Sequence, residues 1–314
     1  MTNSATYPLR TERASLDRIR KLAAEKLLYA ILDSCDAPAV LQKVEEIGPD
    51  RACSLYRDTA QQRMPAIAPY LVIVDVELLG WIAASLWTQP WGVFLGCGNK
   101  LDDVRKHLRR FLVVRAPCGE ELLFRYYDPR ILRTYFATST AEELLCFFGP
   151  IRMFAIPESQ TFDVILSLRA SDSPTTSPPK GVVQIRNEQF AAFAAQAQAA
   201  FANRVLLYLR GNHAERVSSV NDDQLRSMVI GGLDRARRHG LTGESALTAF
   251  VTFMFEFAPN FDQHPHLRQL LSDRSMPPNA RLARMSQVVS DQEWEEVRRM
   301  YDPRAWLAPQ GDSR

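Results

Sequence analysis

The sequence predicts an α+β protein in which an N-terminal mixed α/β sheet domain is followed by an all-helical C-terminal domain. Up to about residue 160, short apolar runs typical of buried strands alternate with amphipathic segments typical of helices. Residues 170–180 are rich in serine and proline, as in a linker or an exposed connection. Beyond them the apolar residues recur at helical spacing only. We therefore predict domains at 1–160 and 183–314, joined by a Ser/Pro-rich linker at 161–182.

The first domain is predicted to contain six helices and six strands. Amphipathic periodicity and capping residues place the helices at 15–26, 37–47, 76–87, 100–110, 128–136 and 140–148. Apolar and β-branched runs place the strands at 27–32, 69–74, 91–97, 111–115, 121–127 and 151–156. Asn99 and Asp128 are the expected caps of the helices that follow them, and Ser139 with Glu142 resembles a capping box.

The second domain is predicted to be entirely helical. Apolar stripes indicate helices at 187–210, 221–240 and 244–257, with three shorter ones at 265–271, 279–289 and 291–300. In the third of these helices Phe253, Phe255 and Phe257 cannot share one face, because two-residue steps rotate by about 200°. This helix is therefore either buried on all sides or presents an apolar strip to a partner, and Phe253 and Phe257 are candidate partner-binding residues.

Composition excludes several classes of function. A length of 314 residues favours two domains, and a net charge of +2 is too small to indicate nucleic acid or an anionic membrane as the partner. The polar N-terminus lacks the apolar stretch of a secretory signal, and the five cysteines show no C-x-x-C pair. Residues 78–98 are uncharged over about one bilayer span, but Pro90 and the glycines that follow it at 92, 96 and 98 indicate a helix, a turn and a strand instead. We expect a cytoplasmic protein with reduced thiols.

Candidate catalytic groups are few. Asp33, Asp75 and Asp128 each follow a predicted strand, where α/β enzymes gather carboxylates, so a metal-dependent hydrolase is one hypothesis. The alternative is that each aspartate caps a helix or turn. His264 and His266 form the only close histidine pair, without a carboxylate or cysteine at ligand spacing. No phosphate-binding loop or Gly-x-Ser-x-Gly elbow occurs, so we expect no catalytic residues, no metal and no cofactor.

A series of segments between Leu27 and Ile156 carries a family resemblance. In order they are LYAILD at 28–33, SLY at 54–56, APYLV at 68–72, WGVFL at 91–95, HLRR at 107–110, LFRYYDPRIL at 123–132 and FFGPI at 147–151. In this order and spacing they resemble the domain of unknown function found in type VI secretion adaptor proteins, also called effector chaperones. The combination of Phe-Arg-Tyr-Tyr-Asp-Pro-Arg with the later Phe-Gly-Pro is the most specific part.

The resemblance implies a non-enzymatic cytoplasmic adaptor. Such a protein binds a secreted effector and loads it onto a VgrG spike or a PAAR-type tip, without a cofactor. The small net charge adds the expectation that neither nucleic acid nor a membrane is a partner. Arg125, Asp128 and Arg130 are the most recognisable residues of the resemblance and are candidate contacts, although Asp128 could instead cap a helix and pair with either arginine. We expect the helical region to recognise the effector, because of the aromatic helix around Phe253. A cytoplasmic immunity protein is the remaining alternative.

Overall fold

A computed structural model describes residues 9–35, 37–56, 64–170 and 181–306. The chain divides into two compact units, residues 1–194 and 195–314. The α+β class predicted from the sequence is confirmed: both sheets lie in the first unit, and helices dominate the second.

The main sheet of the first unit has seven strands. In chain order they are β1 Leu9–Ser15, β2 Leu28–Asp33, β3 Ala52–Ser54, β4 Pro69–Ile73, β5 Gly92–Gly96, β8 Met153–Pro157 and β9 Asp163–Arg169. Their spatial order is β1-β9-β8-β5-β2-β4-β3, and every neighbouring pair is antiparallel. Strand β2 lies between β5 and β4, and all six of its residues are buried.

The side chains of β2 alternate between two apolar cores, one on each face of the sheet. Leu28, Ala30 and Leu32 belong to one core, whereas Tyr29 and Ile31 belong to the other. The first core also contains residues of α1 Leu16–Ala24, α2 Pro38–Ile47 and α3 Val76–Ser85. The second contains residues of α4 Leu101–Leu108, α5 Pro129–Thr138 and α6 Ala141–Phe148. The sheet is therefore covered by helices on both faces.

A small second sheet adjoins the second core. It has the order β10-β6-β7, with β6 Val113–Arg115, β7 Glu121–Leu123 and β10 Val183–Gln184. Strands β6 and β7 form the predicted hairpin, and β10 pairs with β6 in parallel. Residues 183–194, which follow the Ser/Pro-rich break, thus contribute to the first unit, where Phe193 packs on the second core and Arg186 pairs with Glu143 at 2.8 Å.

Three of the seven main strands, β1, β3 and β9, were not predicted. Strand β9 lies inside the predicted linker 161–182, of which residues 171–180 lie outside the described part of the chain. Its partner β1 forms the edge of the sheet and has the sequence LRTERAS, in which the apolar residues are few. Strand β3, at the opposite edge, is only three residues long. Edge strands such as β1 and β3 need no apolar run on their outer face. The hydrophobic pattern that revealed β2, β4 and β5 was therefore weak in these two strands.

Two helix-start signals lie one residue beyond their predicted positions. The capping box is formed by Thr140 and Glu143, one residue beyond the predicted pair, and α4 begins after Lys100 without a side-chain cap. His107 is buried although it stands in a basic helix end: its Nε2 lies 2.8 Å from the Phe147 carbonyl oxygen. Burial lowers the pKa of His107, which favours the neutral imidazole. Its ring fills the space that a Cβ atom on Gly149 would occupy.

The second unit is a helical assembly around one apolar core. Its helices are α7 Asn187–Asn212, which begins in the first unit, α8 Ala214–Val217, α9 Asp222–Arg238, α10 Glu244–Glu256, α11 Pro265–Ser272, α12 Pro278–Val288 and α13 Asp291–Arg299. Asn221 caps α9 as predicted, accepting a hydrogen bond from the Gln224 amide. The uncharged segment 78–98 forms α3 and β5, and no described helix is long and apolar enough to cross a membrane.

A buried aspartate joins two parts of the second unit. Asp262 accepts hydrogen bonds from Arg235 at 2.7 Å and His239 at 2.8 Å. Burial alone would raise the pKa of Asp262, but the His239 hydrogen bond and the charge of Arg235 outweigh it and hold that pKa below its ordinary value. The unfolded state therefore binds the proton more readily than the folded state does, and this ion cluster stabilises the fold above the unfolded-state pKa.

We expect Gly92→Ala to destabilise the first unit strongly. Gly92 has φ +148°, and a Cβ atom there would lie 1.8 Å from the Ile31 carbonyl oxygen across the β2–β5 pair. Backbone strain and overpacking should lower the free energy of unfolding by about 2–6 kcal/mol in urea titrations. Gly80→Ala is the control: it lies at an exposed position of α3 with open space around it and should gain about 0.5–1 kcal/mol. Equal stability of the two variants would contradict this account.

We expect Asp262→Asn to remove part of the acid sensitivity of the second unit. In the wild-type protein, stability should fall as the pH drops below about 4 toward the depressed folded-state pKa of Asp262. The introduced amide does not titrate, so the variant should be less stable near neutrality but show a flatter acid limb. Urea unfolding between about pH 3 and 7 measures this. The control is Asp234→Asn, an exposed pair with Arg237; a variant curve parallel to the wild-type curve would refute the assignment.

Candidate functional site

The end of strand β2 carries a buried carboxylate paired with an arginine. Asp33 donates its backbone N–H to the Trp91 carbonyl oxygen at 2.7 Å, which fixes the strand end beside β5. One carboxylate oxygen accepts the Cys35 amide at 3.1 Å, and the other accepts Arg125 at 2.5 Å. The Asp33 side chain is 7% exposed and that of Arg125 is 42% exposed. Burial disfavours the charged guanidinium, but Asp33 outweighs it and raises the pKa of Arg125.

Asp128 begins helix α5 in the way its sequence predicts. Its side chain accepts the Arg130 amide at 2.8 Å, and Pro129 occupies the first turn. The same carboxylate holds the Arg130 guanidinium through two contacts, at 3.0 and 2.6 Å. This hydrogen bonding raises the pKa of Arg130. Asp128 is buried, whereas Arg130 is exposed.

The two arginines, Arg125 and Arg130, are better able to bind a ligand than the carboxylates of Asp33 and Asp128. The carboxylates of Asp33 and Asp128 already accept two or more hydrogen bonds each, so they serve mainly to hold the local fold. Arg125 and Arg130 are partly exposed, and each guanidinium has N–H donors beyond those that bind the aspartates, of which the Arg125 Nε is buried without a hydrogen-bond partner. Between them, Tyr126 and Tyr127 are core side chains, and the Tyr126 hydroxyl donates to the Leu108 carbonyl oxygen at 3.0 Å.

The three strand-end aspartates do not form one site. Strands β2 and β4 are antiparallel, with Asp33 opposite Pro69 at the beginning of β4. Asp75 follows the other end of β4, roughly 20 Å along the strand direction. There it caps α3 by accepting the Leu78 amide at 2.8 Å, and it pairs with Arg51 at 2.6 Å. The hydrolase hypothesis required Asp33, Asp75 and Asp128 to lie together, and they do not. Asp33 and Asp128 line a common cleft, whereas Asp75 lies elsewhere.

The described ranges contain no group of three or more histidine, cysteine, aspartate or glutamate side chains that could bind a metal ion. His264 and His266 each face a different carboxylate of α13. His266 lies 2.5 Å from Glu293, and His264 lies 3.6 Å from Glu296. His266 therefore links α11 to α13 by a hydrogen bond, whereas His264 only lies near Glu296.

Arg125, Asp128 and Arg130 line a set of three neighbouring depressions in the first unit that share lining residues, here called the trough. The apolar groove, of about 310 Å³, is lined by Val114, Leu122, Leu123, Phe124, Arg125, Asp128, Ile131, Ile185, Phe190 and Phe193. The central cleft, of about 240 Å³, shares Arg125 and Asp128 with it and adds Asp33, Cys35, Ala37, Gln89, Pro90, Trp91 and Arg130. The basic cleft, of about 460 Å³, shares Gln89, Pro90 and Arg130 and extends past Arg13, Arg133 and Glu158.

The two ends of the trough differ in chemistry. At one end, Leu123 is 51% exposed and Phe190 is 43% exposed, an unusual state for side chains of this size. At the other end, the described lining residues include three arginines, Arg13, Arg130 and Arg133, and one carboxylate, Glu158. No pattern in the sequence indicates the apolar groove, because Phe190 and Phe193 fit a helical core stripe, and only the three-dimensional fold brings Leu123 beside them.

The aromatic side chains of α10 are largely covered by their own unit. Phe257 stacks on Trp294 with ring centroids 3.9 Å apart, and Phe253 meets the same indole edge-on at 5.4 Å. Phe255 packs on Trp306 at 4.5 Å. The helix is therefore apolar on several faces because it packs on several neighbours, and Phe253 and Phe257 retain only partial exposure. Their role as partner-binding residues stays a prediction.

Residues 28–145 match the family model described as "Domain of unknown function (DUF4123)". The match is less than half of the chain and runs from β2 into α6, which covers the sequence motifs from 28 to 132 but not FFGPI at 147–151. This family is associated in general with adaptors of type VI secretion effectors. No curated protein and no solved structure matches the chain significantly.

We expect Arg125→Met to destabilise the protein because it leaves the buried Asp33 carboxylate without its cation. The loss should be about 1–3 kcal/mol, discounted for the exposed part of Arg125. Adding Asp33→Asn should restore most of the loss, since the remaining group is then neutral. Arg51→Met is the matched control: its partner Asp75 is 43% exposed, so the loss should stay below about 1 kcal/mol. A double variant no more stable than Arg125→Met would contradict the pairing argument.

Proposed function

We propose that this chain is a non-enzymatic adaptor that binds a type VI secretion effector in the cytoplasm and loads it onto a VgrG spike or a PAAR-type tip. The observation that carries the proposal is the family match over residues 28–145, because that family is associated with such adaptors. An adaptor needs complementary surface and no chemistry, so a cofactor or a metal has no part in this function.

The geometry of the first unit supports a binding role. The trough combines an apolar end with partly exposed arginines, the mixture that protein interfaces use for anchoring and for orientation. The carboxylates of Asp33 and Asp128 in the trough are bound by Arg125 and Arg130, which leaves these carboxylates poorly suited to act as bases or metal ligands. A stable interface covers on the order of 1,200–2,000 Å² in total, which extends beyond the trough itself.

An adaptor contacts two proteins and therefore needs two surfaces. The second unit has exposed apolar side chains of its own, Leu207 and Tyr208 on α7 and Ile230 on α9. Together with the half-buried Phe253 and Phe257, these give the second unit apolar surface for a partner. The sequence-based expectation that the helical region recognises the effector remains part of the proposal.

The proposal predicts that removing the gene abolishes export of one cargo. In a host with an active type VI system, quantitative proteomics of the culture medium should show one toxin-like protein falling to background while the tube and spike proteins remain. Expressing the chain in trans should restore it. A strain with an inactive apparatus, in which all cargo is lost, serves as the control.

Two results would overturn the adaptor proposal. If the secreted proteins are unchanged without the chain, it has no loading role. If instead the deleted strain is killed by its siblings while secretion stays intact, the chain is an immunity protein.

A further inference from the structure

The outer edge of strand β7 is a free edge of the small sheet, as far as the described chain extends. β7 is the last strand in the order β10-β6-β7. The Phe124 amide donates to the Leu112 carbonyl oxygen, and the Ala116 amide donates to the Glu120 carbonyl oxygen, both at 2.8 Å. Hydrogen-bonded pairs alternate along an antiparallel ladder, so the amides and carbonyl groups of Glu121 and Leu123 point away from β6. These groups are available to an added strand.

The apolar groove lies directly beside this edge. Leu122 and Leu123 of β7 line it together with Phe190 and Phe193 of α7. Its volume, about 310 Å³, is at the lower limit of ligand pockets, a size suited to one or two side chains. An extended segment paired with β7 projects alternate side chains to opposite faces, so one of them can enter the groove while the main chain hydrogen-bonds to the edge.

The far end of the trough carries three arginines. Arg13, Arg130, Arg133 and Glu158 are the charged side chains that line the basic cleft in the described ranges. Arg13 pairs with both Glu158 and Asp163, and Arg130 pairs with Asp128, whereas Arg133 donates to a carbonyl oxygen, that of Pro157 at 3.1 Å. A segment leaving the groove through the central cleft therefore meets arginines suited to carboxylates.

We propose that the occupant of the trough is an extended acidic segment of a partner protein, which adds a strand to the edge of β7, places an apolar side chain in the apolar groove and directs carboxylates to Arg130 and Arg133. This rests on the proposed adaptor function and specifies the surface and the chemistry of the segment that it binds. Edge pairing supplies affinity that is independent of sequence, and the groove and the arginines supply specificity.

A display experiment on the full-length purified chain tests this without knowledge of the effector. Random linear peptides on phage are selected against the chain, and a synthetic copy of the enriched peptide is titrated by fluorescence polarisation. We expect enriched peptides to contain an apolar residue followed or preceded by Asp or Glu. Binding of the peptide should slow hydrogen exchange at the amides of Glu121 and Leu123, which a helical or purely ionic ligand would leave unchanged.

Two variants of one residue isolate the edge pairing. Glu121→Ala and Glu121→Pro both lose the ion pair with Arg115, but only the proline removes the outward amide, and neither removes a ladder hydrogen bond. The proline variant should bind the peptide about tenfold more weakly than the alanine variant. Arg133→Glu should weaken binding further at low salt. If the proline variant does not fold, Leu123→Arg tests the apolar groove instead and should also weaken binding.

The matched control lies in the other unit. Val288→Arg alters a valine that is 43% exposed on α12 and should leave peptide binding unchanged. The inference fails if no peptide is enriched, if the proline and alanine variants bind equally, or if Val288→Arg is the variant that weakens binding. If the peptide experiment fails but the deletion strain loses its cargo, only the proposed binding of an acidic segment is refuted. If a peptide binds as expected but the deletion strain loses no cargo, only the adaptor function is refuted.

Discussion

The architecture of the first unit depends on the pairing of β2 with strands on both of its sides. Because β2 is buried along its length, every one of its backbone groups must find a partner within the sheet, and β4 and β5 supply them. The contact requires a glycine at position 92, where the backbone passes against Ile31. The same strand divides the two cores by alternation and ends at Asp33, so it also places the carboxylate that positions Arg125.

Sequence reasoning succeeded where burial dictates composition and failed where it does not. β2, β4 and β5 are interior strands, so their apolar runs were unmistakable, while the edge strand β1 carries charged residues that conceal it. Its neighbour β9 has only a short apolar run between Asp163 and Arg169. Strand direction was also hidden, since an apolar run looks the same in parallel and antiparallel sheets. That is why Asp33 and Asp75 could be imagined at one edge, although antiparallel pairing separates them.

Only part of the candidate site could be predicted from the sequence. Asp128, Pro129 and Arg130 form a local capping motif, and local motifs can be recognised from spacing alone. The apolar groove instead joins residues from β6, β7, α5 and α7 that are far apart in sequence, and no single stretch reveals it. The aromatic helix around Phe253 illustrates the opposite error: residues that cannot share a face suggested a partner, but tryptophans of the same unit pack against them.

The contact of His107 with Gly149 connects two of the sequence motifs. The phrase His-Leu-Arg-Arg and the phrase Phe-Phe-Gly-Pro are separate in the chain, yet the imidazole of the first occupies the volume that a side chain in the second would need, and it lies against the Phe147 carbonyl. They are two halves of one steric fit. The two positions therefore constrain each other: a side chain in place of Gly149 would need a smaller residue in place of His107, and it would also have to adopt the φ of +49° that glycine tolerates.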